Sequence, residues 1–258
     1  MKDFWEDQAR KHGEAVAAVN FDPLQEELMT EFLQELVPDG LVVADIGCGN
    51  GLTLIDLAQR RPNGSFAGYD FAVGMVRVAE RRRKKLALNN VSFSTFDATS
   101  ASLPARTGDS FDMIIGKRLL INIKGDAKRQ ALQNVYGMLR DGGIYVMIEC
   151  FIEPLERTNA AREVLGLDRI RVNNFNEYLT IDFLSEIDRY FFVERSVDVA
   201  SLYYFVSRVL NAALTEGKPD YFSSINKMAA KLVQSNIRPM SGYAPEVAYV
   251  LKKRVKNF

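Results

Sequence analysis

Three glycines at alternate positions, Gly47, Gly49 and Gly51, break an apolar run, Leu41-Val42-Val43-Ala44, that Asp45 closes. Glycines so spaced admit left-handed backbone and leave no β-carbon between the loop and a ligand, so the turn is suited to the close approach of a bound molecule. The run before it reads as a buried strand of a parallel sheet, and residues 52–60 after it as a helix. The spacing is GxGxG: where the dinucleotide fingerprint carries its third glycine, this chain has Leu52. Asp45 argues the same way. A carboxylate just ahead of the loop repels a pyrophosphate but suits a ligand that carries an ammonium and a sulfonium, as S-adenosylmethionine does.

More acids close apolar runs further on. Gly64-Ser-Phe-Ala-Gly-Tyr-Asp70 reads as a short strand ending in a carboxylate about twenty residues beyond the loop, where an acid can accept both hydroxyls of a ribose. Residues 91–98 alternate apolar and polar and end in Asp97-Ala98, placing a carboxylate where an adenine amino group can donate to it. The strand at 144–148 ends at Glu149, which reads as a general base, a substrate acceptor or a structural acid.

The first of these motifs, Val43-Ala-Asp-Ile-Gly-Cys-Gly-Asn-Gly51, resembles that of the class I S-adenosylmethionine-dependent methyltransferases. Asp70 resembles that family's ribose ligand and Asp97 its adenine-reading acid. Phe111-Asp-Met-Ile-Ile-Gly116 resembles the strand that lines the methyl-transfer cleft. The resemblance covers residues 40–150 with specific motifs and the rest more loosely. It implies an α/β fold, a Rossmann-like seven-stranded sheet with helices on both faces, joined by N-terminal helices and a helical cap inserted before the last strand. The implied cofactor is S-adenosylmethionine, with S-adenosylhomocysteine as product. Its contacts would be Asp45, Gly47, Cys48, Gly49, Asn50, Asp70, Asp97, Ala98 and Gly116, together with Phe71 and Met75, which read equally as ordinary core.

The surrounding elements must position these groups. One domain over residues 1–258 is expected, divided into a helical leader or lid (1–38), a cofactor-binding core (39–152) and a substrate-side region (153–258). In the leader, Phe4, Trp5, Ala9, His12 and Val16 recur at helical spacing; Trp5 and His12 either overlie a cleft or simply pack. Asp22-Pro23 starts a helix whose buried stripe is Leu24, Leu28, Phe32 and Leu36. The basic run 81–85 reads as a solvated helix end. A loop at 99–110 carries Pro104 and Gly108. Lys117, Arg118 and Asn122 follow the fourth strand and should face the cleft, because ligands bind at the carboxyl ends of such strands. No Asp/Asn-Pro-Pro-Tyr tetrapeptide is present to cradle a planar amine, and an arginine followed by an amide suits an anionic or hydroxyl-rich acceptor. A polar insert at 153–180, with Asn174 and Tyr178, precedes a helix at 181–190 and a strand at 191–197. Two further helices then carry Tyr203, Tyr204 and Arg208 and are expected to cap the cleft. This polar set loosely resembles methyltransferases of carbohydrate and natural-product pathways.

Thirty-three Lys and Arg balance 33 Asp and Glu, so no global field draws in nucleic acid, and no apolar run approaches a membrane helix or a signal core. Cys48, Cys150 and a single histidine make no structural zinc site, no other metal is expected, and a cytoplasmic setting is the expectation. The partner expected is a small-molecule acceptor, with a second copy of the chain as a possible companion on the apolar faces of the inserted helices. A hydroxyl acceptor would need Glu149 or His12 as base, whereas an anion would need only positioning by Arg118 and Arg208. The main reading is O-methylation of a small molecule, a sugar, sugar-linked or natural-product intermediate; RNA or protein methylation, a non-catalytic cofactor-binding partner and an NAD-dependent oxidoreductase are the competing readings.

Overall fold

The computed structural model describes residues 1–103, 111–217 and 219–255; the expected loop positions Pro104 and Gly108 lie outside the described residues. Each apolar run becomes a strand: β1 (Val42–Ile46), β2 (Ser65–Asp70), β3 (Val91–Thr95), β4 (Phe111–Lys117), β5 (Leu139–Cys150), β6 (Phe191–Val197) and β7 (Glu246–Lys253). They form one sheet in the order β3-β2-β1-β4-β5-β7-β6, with β7 antiparallel to both its neighbours. Because β1 pairs with β2 on one side and β4 on the other, the chain reverses its winding direction there. A crevice opens at such a switch point, outside the carboxyl ends of the strands.

Alternate residues of the central strands supply two cores. Val43, Met113, Ile115, Val146 and Ile148 face the helices α2 (Pro23–Leu36) and α3 (Leu52–Arg60), burying Leu28, Phe32, Leu54 and Leu57 with them. Ala44, Ile46, Ile114, Tyr145 and Met147 face the other layer, where α5 (Ala127–Met138) contributes Ala131, Leu132 and Val135. Both faces are therefore covered, as the uninterrupted apolar runs require. The start of α2 is as read: the Asp22 side chain accepts the Gln25 N–H at 3.1 Å, and Pro23 occupies the first turn.

Two parts of the fold depart from expectation. The polar insert contains a helix, Ile152–Val164, whose residues do not segregate into an apolar stripe and so give no periodic signal in the sequence. The inserted helices, Ser201–Phe205 continuing through a π turn at Val206–Leu210 to Asn211–Leu214, and then Ser224–Gln234, do not cap a cleft. They pack beside α2, with Tyr203, Tyr204, Ala229, Ala230 and Val233 joining its buried cluster. Over the strand ends lies the amino-terminal segment instead. It comprises α1 (Lys2–His12) and a 3₁₀ turn at Val16–Ala18, docked on α4 (Val73–Lys85). Among the described residues, no helix is long and apolar enough to cross a membrane.

Candidate functional site

A cavity of about 310 Å³ opens at the carboxyl ends of β1, β2 and β4. The glycine loop forms one wall. Its turn requires left-handed backbone at Gly47, Gly49 and Gly51 (φ 79°, 55° and 74°), and any side chain at Gly49 would meet Val19 at 2.7 Å. Gly47 and Cys48 donate their N–H groups to the Tyr69 carbonyl, and Gly49 donates to Asp70 Oδ2 at 2.9 Å. Asp70 Oδ1 accepts the Ala72 N–H at 2.9 Å, so one carboxylate ties the loop to the start of α4. Burial pushes Asp70 up to about 6 although both backbone donors oppose it. Asp97 holds Thr99 by its backbone N–H (2.8 Å) and hydroxyl (2.7 Å), and Phe71, Phe96 and Ala98 complete this end.

Asp45 is the most unusual group. It is 4% exposed and lines the cavity, yet its Oδ1 has no partner among the described residues. Burial raises it to about 7; Lys117 opposes the rise, while Asp70 and Glu26 add to it. Asn50 is similarly placed: its Nδ2 is committed to two carbonyls of the amino-terminal segment, and its buried Oδ1 has no partner. Two unpartnered buried acceptors beside a glycine loop call for a ligand with donors, because each otherwise leaves a desolvation penalty of about 1–3 kcal/mol.

At the far end of the cavity Glu26, 2% exposed, meets both cations that follow β4. Its Oε1 pairs with Lys117, which also donates to Thr53 Oγ1 at 2.8 Å, and its Oε2 accepts from Arg118 at 2.9 Å. Arg118 reaches on to buried Glu246 at 3.3 Å. Burial alone would raise Glu26, but Lys117 and Arg118 outweigh it and hold its carboxyl far below the usual range. Val19, Leu119, Ile123, Ala127 and Trp5 line the cavity with apolar surface.

Of the expected site residues, Trp5, Asp45, Gly47, Cys48, Gly49, Asn50, Asp70, Phe71, Asp97, Ala98, Lys117, Arg118 and Asn122 line this cavity. The others lie elsewhere. Met75 is wholly buried with Ala9, Ala18 and Val78 beneath α1 and does not line the cavity. Gly116 backs onto Tyr145, whose hydroxyl is 2.7 Å from where a β-carbon would sit, so its glycine serves packing within the sheet. Glu149 is fully buried and accepts the N–H groups of Leu120 (2.6 Å) and Ile121 (3.2 Å); burial pushes it to about 8 against those donors. It holds the 3₁₀ turn Leu120–Asn122 rather than facing an acceptor. His12 packs edge-on against Phe21, with ring centroids 5.9 Å apart. Asn174 is exposed and gives its carbonyl to Lys124, while Tyr178 packs on the opposite core. Tyr203 donates to Asp22 Oδ1 at 2.8 Å, and Arg208, lying over the Tyr204 ring, pairs with Asp22 at 2.7 Å. All three therefore anchor the inserted helices to the start of α2.

Glu26 is not among the expected site residues, although the sequence carries a signal for it. With Met29 and Leu33 it forms a second inward stripe on α2, and an acid on such a stripe needs a cationic partner.

Comparison with known proteins decides the family. The family profile described as Methyltransferase domain matches residues 38–180, more than half of the chain. The chain belongs to this family. Its methyltransferase domain is 34% identical over 107 residues to aklanonic acid methyltransferase DauC of Streptomyces sp., a stretch covering 39% of this chain and 47% of that protein. Over 109 residues it is 29% identical to demethylmenaquinone methyltransferase of Symbiobacterium thermophilum, covering 42% of this chain and 41% of that one. The chain thus matches about half the length of these curated relatives. Among solved structures, magnesium protoporphyrin IX methyltransferase of Synechocystis, with bound S-adenosylhomocysteine, superposes with a TM-score of 0.61 at 15% identity. That superposition covers 98% of each chain, so the methyltransferase fold is shared almost end to end.

Proposed function

We propose that this chain transfers a methyl group from S-adenosylmethionine to an acidic oxygen of a small, largely apolar acceptor. The observation that carries the cofactor is the unpartnered Asp45 carboxylate beside the glycine loop, in one cavity with Asp70 and Asp97. Asp45 and the Asn50 oxygen suit the ammonium end, Asp70 has lone pairs left for ribose hydroxyls, and Asp97 lies where an adenine amino group can donate. When bound, S-adenosylmethionine supplies a methyl carbon activated by a sulfonium. The protein's own contribution is to align the acceptor and exclude water beneath Trp5 and Val19.

The acceptor reading rests on what the far end lacks. Glu149 and His12 lie away from the cavity, and Glu26 is held ionised between Lys117 and Arg118, which makes it a weak proton acceptor. An oxygen that arrives already ionised, such as a carboxylate or an acidic enol, needs no base. The two cations then favour it over a neutral hydroxyl. The walls of Val19, Leu119, Ile123 and Ala127 suit an apolar natural-product skeleton better than a sugar, since of the polar residues expected to grip a sugar Asn122 lines the cavity while Tyr203, Tyr204 and Arg208 anchor helices instead. One relative, by its name, acts on aklanonic acid. The basic run on α4 does not favour RNA: Arg82 and Arg83 are engaged by Glu14 and Glu80.

Incubation with methyl-labelled S-adenosylmethionine and matched panels of small carboxylic acids, neutral alcohols, RNA and protein tests this reading. Label should enter the acids. Transfer confined to alcohols, RNA or protein would sink it.

A pH signature is also expected. Because Asp45 titrates at about 7 in the free protein, pairing it with an ammonium below that pH requires loss of its proton. Affinity for S-adenosylhomocysteine, which keeps the ammonium, should rise as pH approaches 7 and level off above, with proton release seen by calorimetry in buffers of different ionisation enthalpy. Asp45→Asn should flatten the profile; an unchanged profile would remove Asp45 from the ligand contact.

A further inference from the structure

Consecutive residues of a strand point to opposite faces, yet Lys117 and Arg118, at the end of β4, both reach Glu26, one at each carboxylate oxygen. The backbone explains this. The Arg118 N–H still pairs with the Ile148 carbonyl at 2.7 Å, but its φ is +55°, in the left-handed region that a residue with a β-carbon rarely adopts. Among the described residues Ala87 and Asn236 share that conformation, and each stands just past the end of a helix, where a left-handed residue is a common terminator. Arg118 instead lines the cavity, and a disfavoured backbone at such a place persists only where its surroundings hold it.

Two asparagines hold it. Asn122 Nδ2 donates to the Arg118 carbonyl at 2.6 Å, and Asn122 Oδ1 accepts from Asn176 Nδ2 at 3.0 Å. A carboxamide turned the other way would set its oxygen against the Arg118 carbonyl, so the donor at Asn176 selects the orientation that clamps it. Asn176 belongs to the polar insert and does not line the cavity; the Glu177 N–H, donating to the Ile121 carbonyl at 2.8 Å, fixes it beside this turn. The guanidinium so positioned has capacity left over. Its Nη2 donates to Glu26 Oε2 at 2.9 Å and the Val19 carbonyl at 3.4 Å, and its Nη1 to Glu246 Oε1 at 3.3 Å. The Nε–H and the second Nη1–H therefore have no partner among the described residues.

We propose that Asn176, acting through Asn122, is a positioning residue for acceptor recognition: it keeps Arg118 left-handed, and so keeps those two N–H groups available to an anionic oxygen of the acceptor. The inference rests on the acidic-acceptor reading given above. Without the clamp Arg118 relaxes towards extended backbone, and its side chain turns to the face opposite Lys117. The cavity then loses its directional donors while Lys117 stays on Glu26. The polar insert thus shapes acceptor choice at second hand, from outside the cavity.

The test uses the full chain saturated with S-adenosylhomocysteine and compares its affinity for benzoate and for benzyl alcohol by calorimetry, an anion and a neutral alcohol on the same ring. The unaltered protein should prefer benzoate. Asn176→Ala should cut that preference about tenfold, the scale of a lost charge-assisted hydrogen bond, with affinity for S-adenosylhomocysteine unchanged. Arg118→Lys completes a double-mutant cycle: in that background Asn176→Ala should cost nothing further, a result that a merely structural role for Asn176 would not produce. A preference undiminished in Asn176→Ala, or diminished equally in both backgrounds, would overturn the positioning role while leaving the acidic acceptor intact. Equal affinity for the two probes, or no binding of benzoate, in the unaltered protein would overturn both.

Discussion

Replacing Asp70 by Ala should reduce affinity for S-adenosylhomocysteine on the order of a hundredfold or more, with the fold retained. The variant removes more than the proposed ribose contact. Asp70 Oδ2 holds the Gly49 N–H and Oδ1 the Ala72 N–H, so the glycine loop loses its tie to α4 at the same time as the ligand would lose its proposed acceptor. Charge-assisted hydrogen bonds contribute about 1.5–3 kcal/mol each, and two of them account for the size of the effect. Asp70→Asn separates the two roles. The amide oxygen can still accept one backbone N–H, so the loop should keep much of its order while ligand binding stays weak. Calorimetry on both variants, with a circular dichroism melt of each, makes the comparison. Affinity within a factor of three of the unaltered protein in Asp70→Ala would exclude Asp70 from the site.

The second large effect is expected at Glu26. Glu26→Ala leaves Lys117 and Arg118 buried without the carboxylate that both face, and removing one side of a buried ionic cluster costs about 3–5 kcal/mol. For a chain of this size that corresponds to a fall in melting temperature of roughly 10 °C. The pH dependence gives an independent check. Glu26 is depressed in the folded state, so its contribution is fully present above its ordinary 4.5 and is lost as pH falls towards its folded value. The difference between unaltered protein and Glu26→Gln should therefore be constant near neutrality and shrink in acid. A difference that persists undiminished well below pH 4.5 would mean that Glu26 is not the anion of this cluster. Catalytically, Glu26→Gln frees both cations towards the cavity and should tighten an anionic acceptor, seen as a lower KM.

Asp45, Asp70 and Glu149 act in the opposite sense. Each is raised by burial, so the folded state holds their protons more tightly than the unfolded chain does. Their contribution is fully present below their ordinary 3.8 to 4.5 and is lost as pH rises from there to about 6 to 8. The destabilised anion at Asp45 is the part that a cationic ligand relieves.

The amino-acid sequence by itself determined the glycine loop, the four acids at strand ends, the start of α2 at Asp22 and the order of strands and helices through β5. These signals are local. A positive φ at Gly47, a cap three residues from its N–H and the alternation of apolar residues all act within a few positions, so the chain displays them without reference to its fold. The tertiary structure alone decided which groups share the cavity. Lys117 finds Glu26 across 91 positions and Arg208 finds Asp22 across 186. Whether a polar residue faces a ligand or a structural partner depends on which face of its element is buried and by what. Glu149 ends a strand at the same edge as Asp45, yet two backbone N–H groups claim it, while Asp45 is left unpartnered at the cavity. Tyr203 and Arg208 have the chemistry of a polar cap but are used to fasten helices, because burying those helices beside α2 required partners for the charge at Asp22.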